Sequence, residues 1–244
     1  MSTAFLAGIR ETIAPGRNGR HGPLPPVLIS MTLVTGLVDA FSYLVLGHVF
    51  VANMTGNVIF VGFALVGARG FSLAASVAAL VSFWFGALAG GRMGVRLGQH
   101  RGHMLTAAAS IQSALLVISV VLAAVSGSPV GAGYRYPLIV AMSVAMGVQN
   151  ATARKLAVPD LTTTVLTLTI TGIAADSSIA GGPGASAGRR TISVVAMFLG
   201  ALVGAAFVLH VSIVAPLASA LAVLLAVSAT AYVLGRTDAA WVRP

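Results

Sequence analysis

The sequence contains no cysteine. Disulfides, thiolate metal sites and cysteine nucleophiles are all excluded. Charge is nearly as scarce. Only 8% of the 244 residues are charged, against roughly a quarter in an ordinary soluble domain, so no charged surface exists to face water. Acids are rarest: 5 Asp and Glu stand against 14 Lys and Arg, for a formal charge of +9. The basic residues are scattered through short loops with no basic run or aromatic platform, which argues against nucleic acid as a partner. HExxH, P-loop and paired catalytic carboxylates are missing too. Gly184-Ala185-Ser186-Ala187-Gly188 spells GxSxG, but it lies in a Gly/Ala/Ser linker without the preceding strand that the pattern requires. His100-x-x-His103 lacks a third metal ligand. The expectation is a protein that is not an enzyme and has neither cofactor nor metal.

What is there is apolar. The chain is 57% hydrophobic with a mean hydropathy of +0.98, the composition of an all-α polytopic membrane protein whose first partner is the lipid bilayer. Eight apolar segments are present, at about 27–46, 52–67, 71–91, 104–126, 137–153, 157–175, 191–211 and 214–234. Residues 1–26, rich in Arg, Gly and Pro, read as a disordered cytoplasmic tail rather than a cleaved signal, because the first long apolar run begins only at Val27 and is of spanning length. A membrane repeat over 27–126, a second over 137–234 and a cytoplasmic tail over 235–244 complete the expected organisation.

Segments two and six are short and open with polar residues, as lipid-facing helices do not. Irregular backbone at membrane depth survives only inside protein or beside a wet cavity. If all eight segments cross, Arg92, Arg96, Arg101, Arg154 and Lys155 fall outside. If segments two and six turn back, only Arg69 and Arg135 do. The positive-inside rule favours six full transmembrane helices plus two short re-entrant or broken helices, with both termini inside.

Three blocks recur in order. Gly36, Asp39 and Ala40 match Gly147, Asn150 and Ala151; Val51, Thr55 and Val58 match Val158, Thr162 and Val165; Gly86-Ala87-Leu88-x-Gly90 matches Gly200-Ala201-Leu202-x-Gly204. Segments four and eight show no convincing similarity. With three crossings per half, the second half enters from the opposite side. That makes an inverted-topology repeat, the architecture of many secondary transporters, whose sites lie near the midplane on discontinuous helices. The expected function is a small transporter or permease, with a non-transporting interaction protein as the rival.

The candidate site follows. Asp39 lies in mid-helix, where an ionised carboxylate costs about 2.5–3.5 kcal/mol. It must face a cavity, find a partner or hold a proton. It is either a proton-coupling group or a structural one bonded across helices to Gln149 or Asn150. Asn53, Thr55, Gly56 and Asn57 form a polar knot at the start of segment two; Asp160, Thr162, Thr163 and Thr164, with Thr167 beyond, are the counterpart. At a half-helix N-terminus such groups suit a small solute, an anionic one above all, although capping explains part of each cluster. Gly86/Gly90 and Gly200/Gly204 have the spacing of close helix contacts and offer a route to association of copies.

The motifs Gly36-x-x-Asp39-Ala40, Met54-Thr55-Gly56-Asn57, Met146-Gly147-x-Gln149-Asn150-Ala151 and Thr163 to Thr167 together resemble the YoaK-like family of bacterial integral membrane proteins, a family defined by a domain of unknown function. Leu168 stands where that family usually has glycine. The resemblance covers roughly residues 27–234. It implies a location in the bacterial inner membrane and no particular activity.

Overall fold

The computed structural model describes residues 3–15, 21–161, 163–164, 166–182, 187–237 and 239–243. Its helices are α1 (Thr3–Ile13), α2 (Leu24–Val45), α3 (Met54–Leu65), α4 (Leu73–Leu97), α5 (Arg101–Ser126), α6 (Ala132–Leu156), α7 (Leu166–Ala175), α8 (Ala187–His210) and α9 (Ala215–Gly235). Five of them, α2, α4, α5, α8 and α9, are long and apolar enough to cross a membrane.

The expected sixth crossing is α6. It has the length, 25 residues, but not the apolarity, because Gln149, Asn150, Arg154 and Lys155 crowd its last two turns. Of these, Gln149 is fully buried and Asn150 half-buried, while Arg154 and Lys155 are exposed. α3 and α7 have 12 and 10 residues. At 1.5 Å per residue they reach about 18 and 15 Å, short of a hydrocarbon core of about 30 Å.

Residues 3–13 correct the expectation of a disordered tail. Phe5, Gly8, Ile9 and Thr12 repeat at helical spacing, and α1 lays this stripe on the start of α8, where a Cβ on Gly188 would strike Phe5 O and Ile9 N. Thr12 is buried and returns its hydroxyl to Gly8 O at 2.6 Å. Pro and Arg further along the lead hide this short helix from a composition-based reading.

Two crossings dominate the packing, α2 against α8 and α4 against α6. Both use glycine to bring backbones together. A Cβ on Gly36 would collide with Met197 O and Ala201 N, and one on Gly147 with Phe83 O and Ala87 N. Gly200 faces Leu33 and Gly86 faces Val144. The glycines that the sequence offers for association of copies are thus covered within the chain. α5 packs on α9 and α6, and α9 also on α2; α3 lies on α4, and α7 on α8. Gln149 ties α2 to α6, donating to Thr35 Oγ1 at 2.9 Å and to Met31 O at 3.2 Å.

The core has two parts. One gathers Leu37, Phe41, Leu116 and Met142; the other gathers Leu28, Met104, Leu156 and Trp241. Outward, Val58, Ile59, Trp84, Phe85, Phe198 and Leu202 are exposed, an apolar exterior that suits lipid and not water.

Candidate functional site

The backbone breaks after α2 and again after α6. Gly47 and His48 take positive φ (83° and 55°) and turn the chain back. Arg135 holds this turn from α6, its Nε donating to Leu46 O at 2.7 Å. The returning residues Val51 and Ala52 are buried, and their amides both donate to Asp39 Oδ1 at 2.9 Å. Asn53 Nδ2 donates to Asp39 Oδ2 at 2.5 Å. A carboxylate accepts such bonds more strongly than a neutral oxygen would, so Asp39 fixes the place where α3 begins. The expected bond from Asp39 to Gln149 or Asn150 is not made; the loop amides reach Asp39 first, because the turn folds residues 51–53 back alongside it.

Capping also gives way. Asn53 occupies the N-cap position of α3 without a side-chain cap bond, since its amide is committed to Asp39. Asn57 is fully buried and clasps the loop through two bonds, accepting from Phe50 N at 3.0 Å and donating to Phe50 O at 2.6 Å. Gly56 lies under the Phe50 ring, where a Cβ would collide. Phe50 in turn stacks between Tyr43 and Phe60, with centroids 5.0 and 5.6 Å away.

The second break differs in its chemistry. Ala157, Asp160 and Thr163 all have positive φ. Asn150 accepts a hydrogen bond on Oδ1 from the Thr164 hydroxyl and donates to Met146 O at 2.9 Å. Asp160 turns away to Arg190, whose Nε is 2.7 Å from Oδ1. The same guanidinium reaches Asp176 at 2.5 Å and Gly172 O at 2.6 Å. Thr163 is buried, its hydroxyl without a partner among the described residues. Thr162 lies outside the described residues.

Between the two breaks is a cavity of about 1000 Å³. Asn53 and Thr55 line it from one side, and Asn150, Thr164 and Thr167 from the other. Of the remaining candidates, Asp39, Gly56, Asn57 and Gln149 stand behind this lining as structural supports, and Asp160 belongs to the Arg190 cluster. The wall opposite is α4, through Phe83, Ala87, Gly91 and Gly94.

Arg154 and Lys155 also line the cavity. Sequence reasoning treated them as loop charges that orient the chain. A signal was available: Gly86, Gly90, Gly94 and Gly98 recur every fourth residue, and this glycine edge faces Val144, Val148 and then the Lys155 stem. The run of glycine continues beyond a plain helix contact because it makes room for that side chain.

Comparison with known proteins gives the same picture at a coarser grain. The chain is 32% identical over 157 residues to the UPF0700 transmembrane protein YoaK of Bacillus subtilis (strain 168), covering 62% of this chain and 66% of that protein, just under two thirds of its length. No solved structure matches. The model of the family described as "Protein of unknown function (DUF1275)" matches residues 27–231. With its long apolar helices, the chain is a multi-pass membrane protein that belongs to the DUF1275 family.

Proposed function

We propose that this protein is a small secondary transporter, a permease for a small solute, in the inner membrane of a bacterium. α2, α4, α5, α6, α8 and α9 cross the bilayer, α3 and α7 enter and return, and both termini are cytoplasmic. The two halves are inverted repeats, and their interface holds the solute.

One observation carries the proposal. The cavity of about 1000 Å³ is lined by polar groups from both broken-helix starts, Asn53 and Thr55 with Asn150, Thr164 and Thr167. The packing supports the repeat. α2 on α8 corresponds to α6 on α4, α9 on α2 to α5 on α6, and α7 on α8 to α3 on α4. The correspondence extends to single atoms: Met197 O and Ala201 N meet Gly36 as Phe83 O and Ala87 N meet Gly147. Asp39 does not line the cavity. Its role in this scheme is to position Asn53, and proton coupling through it requires that its bonds to Val51 and Ala52 open.

Single cysteines test the architecture in a chain that has none. Ala68→Cys is labelled from outside intact cells by an impermeant thiol reagent and Gly98→Cys is not; the reverse pattern means eight crossings and parallel halves. Thermal stabilisation in detergent then identifies a solute, and Thr55→Val abolishes its counterflow in proteoliposomes. Counterflow at the wild-type rate in that variant sinks the proposal.

The rival, a membrane protein that transports nothing, is favoured by the inward use of Asp39, Asn57 and Gln149, all bonded within the chain. It predicts that Thr55→Val melts earlier in detergent and that no solute stabilises the wild type.

A further inference from the structure

Resting on the transporter proposal, we infer that the cavity takes an organic anion: a carboxylate-bearing solute with an apolar body. Three observations converge on it.

The first is the charge of the lining. Arg154 and Lys155 face the cavity, and no described lining residue is acidic. Among the described residues neither cation has an ion pair; the two ion pairs present both belong to Arg190. The nearby acids are occupied, Asp39 by two loop amides and the Asn53 side chain, Asp160 by Arg190. A cationic solute entering here meets two like charges and no counter-ion. An anion meets two cations beside low-dielectric walls, where the attraction is stronger than in open water.

The second is that one of these cations is held in place. The Lys155 stem lies across α4 where glycine leaves room: a Cβ on Gly94 would be 3.2 Å from Lys155 Cγ, and one on Gly98 would be 2.8 Å from Cε. A Cβ at Gly94 makes the stem give by a few tenths of an ångström, and one at Gly98 makes it shift.

The third is the division of the lining. Hydroxyls and amides of Thr55, Asn53, Asn150 and Thr164 gather where α3 and α7 begin, and the amide ends of both helices favour negative charge. Phe83, Ala87, Val158, Leu161 and Met197 make the rest of the wall apolar. The volume lies at the upper end of metabolite pockets, far beyond what an inorganic ion fills. One charged group and an apolar body match this lining; an inorganic anion or a sugar does not.

The test reads the field inside the cavity without knowing the cargo. Ala87→Cys, in lipid nanodiscs with both faces open, is treated with 2-sulfonatoethyl methanethiosulfonate, an anion, and with its 2-trimethylammonioethyl counterpart, a cation. Each rate is normalised to that of free 2-mercaptoethanol. We expect the anionic reagent to react about tenfold faster, with the preference shrinking toward one in the Arg154→Gln/Lys155→Gln background and in high salt. Thr167→Cys is the second reporter should Ala87→Cys misfold. A ratio of one, a preference for the cation, or a preference that survives the double substitution overturns the anion assignment and leaves the transporter proposal standing. Failure of both reagents to react at either position means that no wet cavity exists, and both proposals fall.

Discussion

The turn after α2 and the turn after α6 each lead into a short helix, and they are held by different forces. Asp39 gathers Val51 N, Ala52 N and the Asn53 amide onto one carboxylate, and Tyr43, Phe50 and Phe60 stack over the loop. Among the described residues Asn150 gathers the Thr164 hydroxyl and otherwise returns to Met146 O of its own helix. The loop after α6 is tied instead from outside, by Arg190 reaching Asp160, Asp176 and Gly172 O. The first turn is thus pinned from within by a buried charge, the second strapped by an ion pair near the surface. Buried charge-assisted bonds are strong and cooperative, and partly exposed ion pairs are weak. The comparison teaches that two matching backbone breaks need not be equally free to move. In the proposed transporter the segment after α6 is the one that yields.

The largest effect belongs to Asp39→Ala. It strands two buried amides and the Asn53 side chain, and should cost about 3–5 kcal/mol in detergent unfolding titrations. Asn150→Ala should cost about 1–2 kcal/mol by the same measurement, since it removes two neutral bonds. Equal losses would break the comparison at its root.

Next come the glycine crossings, where the two halves should behave alike. Gly36→Ala and Gly147→Ala each drive a methyl into the facing backbone, and each should lower stability by about 1–3 kcal/mol, within error of one another. A large difference would count against the repeat. Arg190→Gln releases the outer strap at a site where the Arg190 side chain is 16% exposed and that of Asp176 53%. About 1–2 kcal/mol is expected, together with faster amide exchange over 157–161 but unchanged exchange over 49–53. Equal acceleration in both loops would show that one strap serves both turns. Smallest in stability is Thr55→Val, expected to change the unfolding free energy by less than about 0.5 kcal/mol while removing a polar group from the cavity; its effect should appear in counterflow alone.

Much of this was legible in the residues. The polar openings of segments two and six marked the two breaks, because lipid tolerates neither Asn53 nor Asp160 on an exposed helix start. The Gly86/Gly90 and Gly200/Gly204 spacings marked the close crossings. Less legible were the partners. Asp39 is bonded to residues 12 to 14 positions ahead of it, and only the reversal at Gly47 and His48 brings them there, a tertiary event with no period in the sequence. The polar end of α6 resembled a loop for a related reason: its charges face a cavity that exists only when α4 lies beside it. α1 escaped notice because a four-residue stripe is too short to stand out in a Pro- and Arg-rich lead.

The exchange of helices between halves also bears on how the protein is made. Of the long apolar helices α2 leaves the ribosome first, but the helix it packs against most, α8, begins about 140 residues after α2 ends. At roughly 5–20 residues per second, the glycine face of α2 waits about seven to thirty seconds for its partner. During that time Gly36 has only lipid or the insertion machinery on the side that α8 later covers. α6 finds α4 already in place and waits for nothing. Biogenesis is therefore asymmetric even where the finished packing is not. A translational pause before Ala187 prolongs the exposure of α2, and a faulty α8 leaves the first-born helix without a mate.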